Sequence, residues 1–140
     1  MKLICPGPLL FGAALILAAA SGCATLDKEN RLLGLNQAVR LYENSIRWGD
    51  FNVAAGLLRR RDGGVTSATV NVPQEVRVTA YASEIIAVND EVTEATVATR
   101  FDYYLPDSGK VRTVSESKLW WFDADTGQWY LDGGLPSFKP

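Results

Sequence analysis

Histidine is absent from the 140 residues. That removes the commonest general base, the commonest zinc ligand and any Ser-His or Cys-His catalytic pair. Excess charge of either sign is missing as well. Fourteen Lys and Arg stand against sixteen Asp and Glu, a formal net charge of −2, so there is no basic footprint for nucleic acid. Cysteine is limited to two residues, Cys5 and Cys23. The apolar run Leu9 to Ala20, after Pro6 and Pro8, has twelve residues, about 18 Å as a helix against a hydrocarbon core of about 30 Å, too short to span comfortably. What remains is 47% hydrophobic and 21% charged, the composition of one folded domain.

The N-terminus reads as an export signal. Met1 and Lys2 form a short positive region, the apolar run follows, and small residues converge on Ala20-Ser21-Gly22-Cys23. This order resembles the lipobox of bacterial lipoproteins, with Ala20 where Leu is common. The resemblance implies that residues 1–22 are a signal peptide, cleaved before Cys23, and that Cys23 carries acyl chains such as palmitate. It leaves a mature chain of 118 residues (140 − 22). Cys5 leaves with the signal, and lipidation accounts for the otherwise odd single exported cysteine. Ala24 rather than Asp after the cysteine implies, by the same resemblance, the outer membrane, with the domain facing the periplasm. Residues 23–27 are the lipidated cysteine and a short tether, too short to carry the domain far from the lipid.

Residues 28–135 read as a single α+β domain, followed by a tail at 136–140. Leu32, Leu35, Val39, Tyr42 and Ile46 recur at steps of three and four and predict an amphipathic helix over 28–47. Trp48-Gly49-Asp50 breaks it, and Asp50 is placed to cap a second helix that ends at Arg59-Arg60-Arg61 before Gly63-Gly64. The period then becomes two. A short strand is expected within 65–72, and longer ones over 75–88, 91–105 and 110–122, with a last one at 128–131. On the third of these, Ala95, Val97, Thr99, Phe101 and Tyr103 share a face. Turns at Asn89-Asp90, 106–109 and 123–127 make the strands antiparallel neighbours. Asp123-Ala124-Asp125-Thr126-Gly127 has the start of a calcium loop but not its later ligands, and reads as a turn. One face of the meander needs the helix as cover.

Two helices joined by a helix–WGD–helix corner at 42–58 (YENSIRWGDFNVAAGLL), with a tryptophan-rich strand pair at 118–133 (KLWWFDADTGQWYLDG), resemble the nuclear transport factor 2-like, or cystatin-like, cone. The resemblance implies a cavity between helix and curved sheet. Some members use it as an active site, as ketosteroid isomerase and scytalone dehydratase do, and others bind or assemble with it. An enzyme reading would use Asp102 and Tyr104 as acid and base, but Arg100 beside Asp102 favours an ionised surface pair.

The preferred expectation is a non-catalytic binding or assembly module needing no cofactor or metal. Candidate pocket residues on the inward phases are Tyr42, Trp48, Tyr81, Phe101, Tyr103 and Trp121. Trp120 and Trp121 must point to opposite faces, and Trp120 is the expected seam of a dimer on the open sheet face. The expected partners are the membrane through its lipid anchor and either an envelope protein, a second copy or an apolar ligand. Arg59 to Arg61 have a further reading as contacts to anionic headgroups. The tail, with two prolines, is expected to lie across a sheet edge or to stay unfolded.

Overall fold

The structure, a computed structural model, describes residues 12–64 and 75–139, with side chains from Gly22 onward. The expected strand at 65–72, the first eleven residues of the signal and Pro140 lie outside the described residues.

Helix α1 runs from Gly12 to Trp48. It contains the expected 28–47 helix and starts well upstream, because the Ala- and Leu-rich residues 12–27 include no proline to stop it. Residues 24–27, expected as a tether, are helical. The end falls where the sequence puts it. Gly49 has φ +79°, and its N–H bonds to the Ile46 carbonyl (3.2 Å) while that of Asp50 reaches back to Ser45 (2.8 Å), a Schellman stop.

Helix α2 is only Phe51–Gly56. The Asp50 carbonyl accepts from Val53 and Ala54, but its side chain makes no cap bond. The expected extension to the arginine run does not form. Instead, Leu57 and Leu58 peel off to meet the end of the sheet: Leu131 donates to the Leu57 carbonyl (2.8 Å) and Arg59 to the Leu131 carbonyl (3.0 Å).

Four strands follow: β1 Arg77–Val88, β2 Glu94–Tyr104, β3 Val111–Asp123 and β4 Gln128–Asp132. They pair antiparallel in the order β1-β2-β3-β4, the expected α+β meander. Each outer edge is managed. The β4 edge carries the Leu58–Leu131 bridge, and β1 has register breaks between Val78 and Ala80 and between Ile85 and Ala87, which bend that strand. In the first turn the Asn89 carboxamide oxygen accepts from the backbone N–H of Thr93 (2.8 Å) and Glu94 (3.0 Å). The calcium-like run is a turn: Gly127 sits at φ +67°, and Asp123 accepts through its carbonyl from Gly127 and through its carboxylate from Asp125.

Helix α1 crosses one face of the sheet on a diagonal. Near β4 the Trp129 indole donates to the Arg31 carbonyl (2.8 Å), and near β1 the Tyr81 hydroxyl donates to Asn44 (3.0 Å). Between these points Leu35, Val39, Tyr42 and Ile46 are buried on Ala95, Val97, Phe101, Trp120 and Leu131. Leu32, the first expected stripe residue, stays at the exposed margin. Residues 136–139 do not extend the sheet or hang free. Phe138 is buried against Phe51, Phe101 and Tyr103, and the backbone of Lys139 both donates to and accepts from the Tyr103 hydroxyl (3.0 and 2.9 Å).

Candidate interaction surface

The aromatics expected to line a pocket are divided by the fold. Tyr42, Phe101 and Tyr103 do point between helix and sheet, and all three are buried. With Trp120 and Phe138 they pack edge to face: the Tyr42 ring lies 5.8 Å from Trp120 and 6.4 Å from Phe101, and Tyr103 lies 4.9 Å from Phe138. These side chains fill the space around one another as core. Tyr81 has the expected phase but sits at the rim, half exposed and bonded to Asn44. Trp48 was expected inward and is 74% exposed. It lies two residues past the inward Ile46, which turns it by about 200° around the helix.

The two adjacent tryptophans are interchanged relative to expectation. Trp120 pairs with Ala95 and is 1% exposed, so it is core and forms no seam. Trp121 pairs with Glu94 and Tyr130 on the far face. Its cover comes from the chain itself. After bridging Leu131, the chain carries Arg59 over this face. The Arg59 carbonyl accepts from the Trp121 indole (2.8 Å), its guanidinium lies 5.1 Å from the Tyr130 ring centre, and it pairs with Asp123 (2.8 Å). Arg61 pairs with Glu94 on the same face, and Arg60 with Asp62. The arginine run is thus a strap over the aromatic end of the sheet.

Beyond the strap no described residue covers this face of the sheet, and it holds a shallow groove of about 560 Å³. Two cross-strand rows form its walls, Ala82–Arg100–Ser115 and Glu84–Ala98–Ser117, and the backbone of Ser83, Thr99 and Glu116 forms its floor. The walls are low because four of the six wall residues are Ala or Ser. Arg100 and Glu84 supply one charge of each sign. No sequence feature marked this groove, since small residues on a strand carry no periodic signal. A second hollow of about 350 Å³ lies between the end of α1 and the start of β1, lined by Trp48, Arg47, Arg77 and Tyr104 among others.

Asp102 lies on the grooved face and is tied down. It accepts from Thr113 Oγ1 (2.7 Å) and Arg100 Nη2 (3.1 Å). The Thr113 bond foremost, then Arg100, holds its carboxyl below the ordinary carboxylate range, opposite to what a general base at neutral pH requires. On the helix side, burial first and the Glu116 charge second push the Tyr42 phenol up. Neither that hydroxyl nor Glu116 Oε1 has a well-formed hydrogen bond, and the Glu116 carboxylate is paired with Lys118 (2.8 Å). Burial also raises Glu43, against the opposing charge of Arg40. Among the described residues, no three acidic or cysteine side chains converge as a metal site would require.

No protein-family model matches the chain, and no curated protein matches it significantly.

Proposed function

We propose that the chain is a membrane-anchored envelope lipoprotein of the outer membrane, whose periplasm-facing domain binds or assembles with a protein partner and does not catalyse a reaction. The observation that carries the binding reading is the grooved sheet face, which among the described residues is covered only at its aromatic end, by the strap. A low-walled strip of Ala and Ser with one Arg and one Glu suits an extended peptide or another flat protein surface, because the short side chains let a partner pack close to the sheet while Arg100 and Glu84 offer polar contacts at the rim. The non-catalytic reading draws on Asp102, fixed as an anion by Thr113 and Arg100. The anchor draws on Ala20-Ser21-Gly22-Cys23, with Cys23 exposed on α1.

The test is site-specific photocrosslinking in intact envelopes. A photoreactive residue at Ser117, in the groove, should give one discrete adduct. The same group at Asp107, in the turn outside it, should give none. Equal labelling at both positions, or none at Ser117, would refute the groove as the binding face. The anchor is read separately, from the mass of the N-terminal peptide and from incorporation of an alkyne-bearing palmitate that Cys23→Ser abolishes.

A further inference from the structure

We infer that α1 lies flat on the bilayer, with the face that carries Cys23 against the lipid and the sheet held away from it. This rests on the anchor reading above. The argument starts from helix geometry. Residues 23, 26, 30, 33, 37, 41, 44 and 48 follow one another at steps of three or four, so they form one stripe at about 100° per residue. The stripe reads Cys23, Leu26, Asn30, Leu33, Gln37, Leu41, Asn44, Trp48 and contains no charge. It is the side of α1 opposite Leu35, Val39, Tyr42 and Ile46, which face the sheet; only Asn44, at its margin, is reached from the sheet, by the Tyr81 hydroxyl. Its large apolar members are open: Leu26 is 59% exposed, Leu33 61%, Leu41 48% and Trp48 74%.

Water is a poor neighbour for such a stripe, and its first residue says what covers it. Acyl chains on Cys23 would fix that end of α1 at the lipid surface, and Leu26 lies one turn away. From there the helix either stands up, leaving three leucines and a tryptophan in water, or lies down and buries them together. Its far end suits an interface. The Arg47 guanidinium lies 5.1 Å from the Trp48 ring centre, an indole and a cation of the kind that sit at headgroup level. Arg40 joins Arg47 on one border of the stripe, where Glu29 also lies; Asp27 is on the other. Covering this side leaves the groove at Ala82, Ala98 and Ser117, on the far side of the sheet, facing away from the membrane.

The experiment uses the acylated protein in vesicles of phosphatidylethanolamine and phosphatidylglycerol. Nitroxide labels are placed at Gln37→Cys on the stripe and, separately, at Ser117→Cys in the groove. Collision with oxygen, which partitions into lipid, is compared with collision with a water-soluble nickel chelate. The inference expects the oxygen-to-nickel ratio to be several-fold higher at position 37 than at 117. Leu33→Glu combined with Leu41→Glu should abolish that difference with the helical circular dichroism unchanged. Equal ratios at the two positions would overturn it. So would spin–spin broadening between labels at 37, which would assign the stripe to a second copy of the chain. The mass of the Cys23 peptide separates the two readings. An acylated Cys23 with a water-exposed label at 37 refutes the stripe and keeps the anchor; an unmodified Cys23 with a lipid-buried label does the reverse.

Discussion

Trp121 donates its indole N–H to the main-chain carbonyl of Arg59, 2.8 Å away and on the opposite side of the β4 edge from α2. That bond holds the arginine strap on the sheet. Trp121→Phe keeps a ring against Tyr130 but removes the donor, so it should cost about 1 kcal/mol, the net worth of one hydrogen bond. Urea unfolding would measure it. Hydrogen exchange should rise at the Arg59 amide while the β2 amides stay protected.

Trp120 should behave differently. It is buried against Tyr42 and pairs with Ala95, and truncating a core aromatic leaves a cavity. Trp120→Ala should cost about 3–5 kcal/mol, a large fraction of the roughly 5–15 kcal/mol by which a domain is usually stable. A Trp120→Ala protein that loses less than about 1 kcal/mol in urea unfolding would contradict the assignment of Trp120 to the core.

The interchange of these two residues shows where sequence reasoning stopped. Alternation says only that neighbours point apart. Residues 118–122, Lys-Leu-Trp-Trp-Phe, are long or apolar at every position, so nothing fixes the phase. The pairing of Ala95 with Trp120 does. On β2 the phase was legible, because Ala95, Val97, Thr99, Phe101 and Tyr103 alternate with Thr96, Arg100 and Asp102. Trp48 was legible too: counting two residues on from Ile46 turns it by about 200° and puts it outward, not on the inward phase. The strap was not. It depends on Leu57 and Leu58 leaving α2 to pair with Leu131, a contact between residues more than seventy apart in the chain. Nor was the groove, whose walls are defined by register across three strands.

The tail is part of the core. Phe138 contacts three aromatic rings, and Lys139 closes a pair of hydrogen bonds on Tyr103. Phe138→Ala should cost about 3 kcal/mol or more, and truncation after Leu135 at least as much. Ser137→Ala, at an exposed position, should cost almost nothing. Thermal unfolding of the three variants checks the order.

Gly34 lies inside α1, and an added methyl would meet Trp129 Cδ1 at 3.5 Å, an ordinary contact distance. Space therefore exists, and alanine is the better helix former by about 1 kcal/mol. Gly34→Ala should raise stability by up to that amount. A loss would mean that the Trp129 indole, bonded to the Arg31 carbonyl, cannot shift by even a few tenths of an ångström.

Glu43 and Asp102 should impose opposite pH dependences. Asp102 is depressed below its ordinary value of 3.8 by Thr113 and then Arg100. Its contribution is therefore present above that value and lost as pH falls through the lower folded pKa. Thr113→Val should move the Asp102 titration upward in carbon-detected NMR. Glu43 is raised above 4.5 by burial. The folded state holds its proton more tightly than the unfolded chain, so the favourable contribution is complete below 4.5 and disappears as pH rises through the raised folded value. At neutral pH the buried anion is a net cost. Glu43→Gln should then stabilise the protein at pH 7 and make little difference below 4.5. A Gln variant less stable at pH 7 would mean that the Arg40 cation, the opposing influence, outweighs burial.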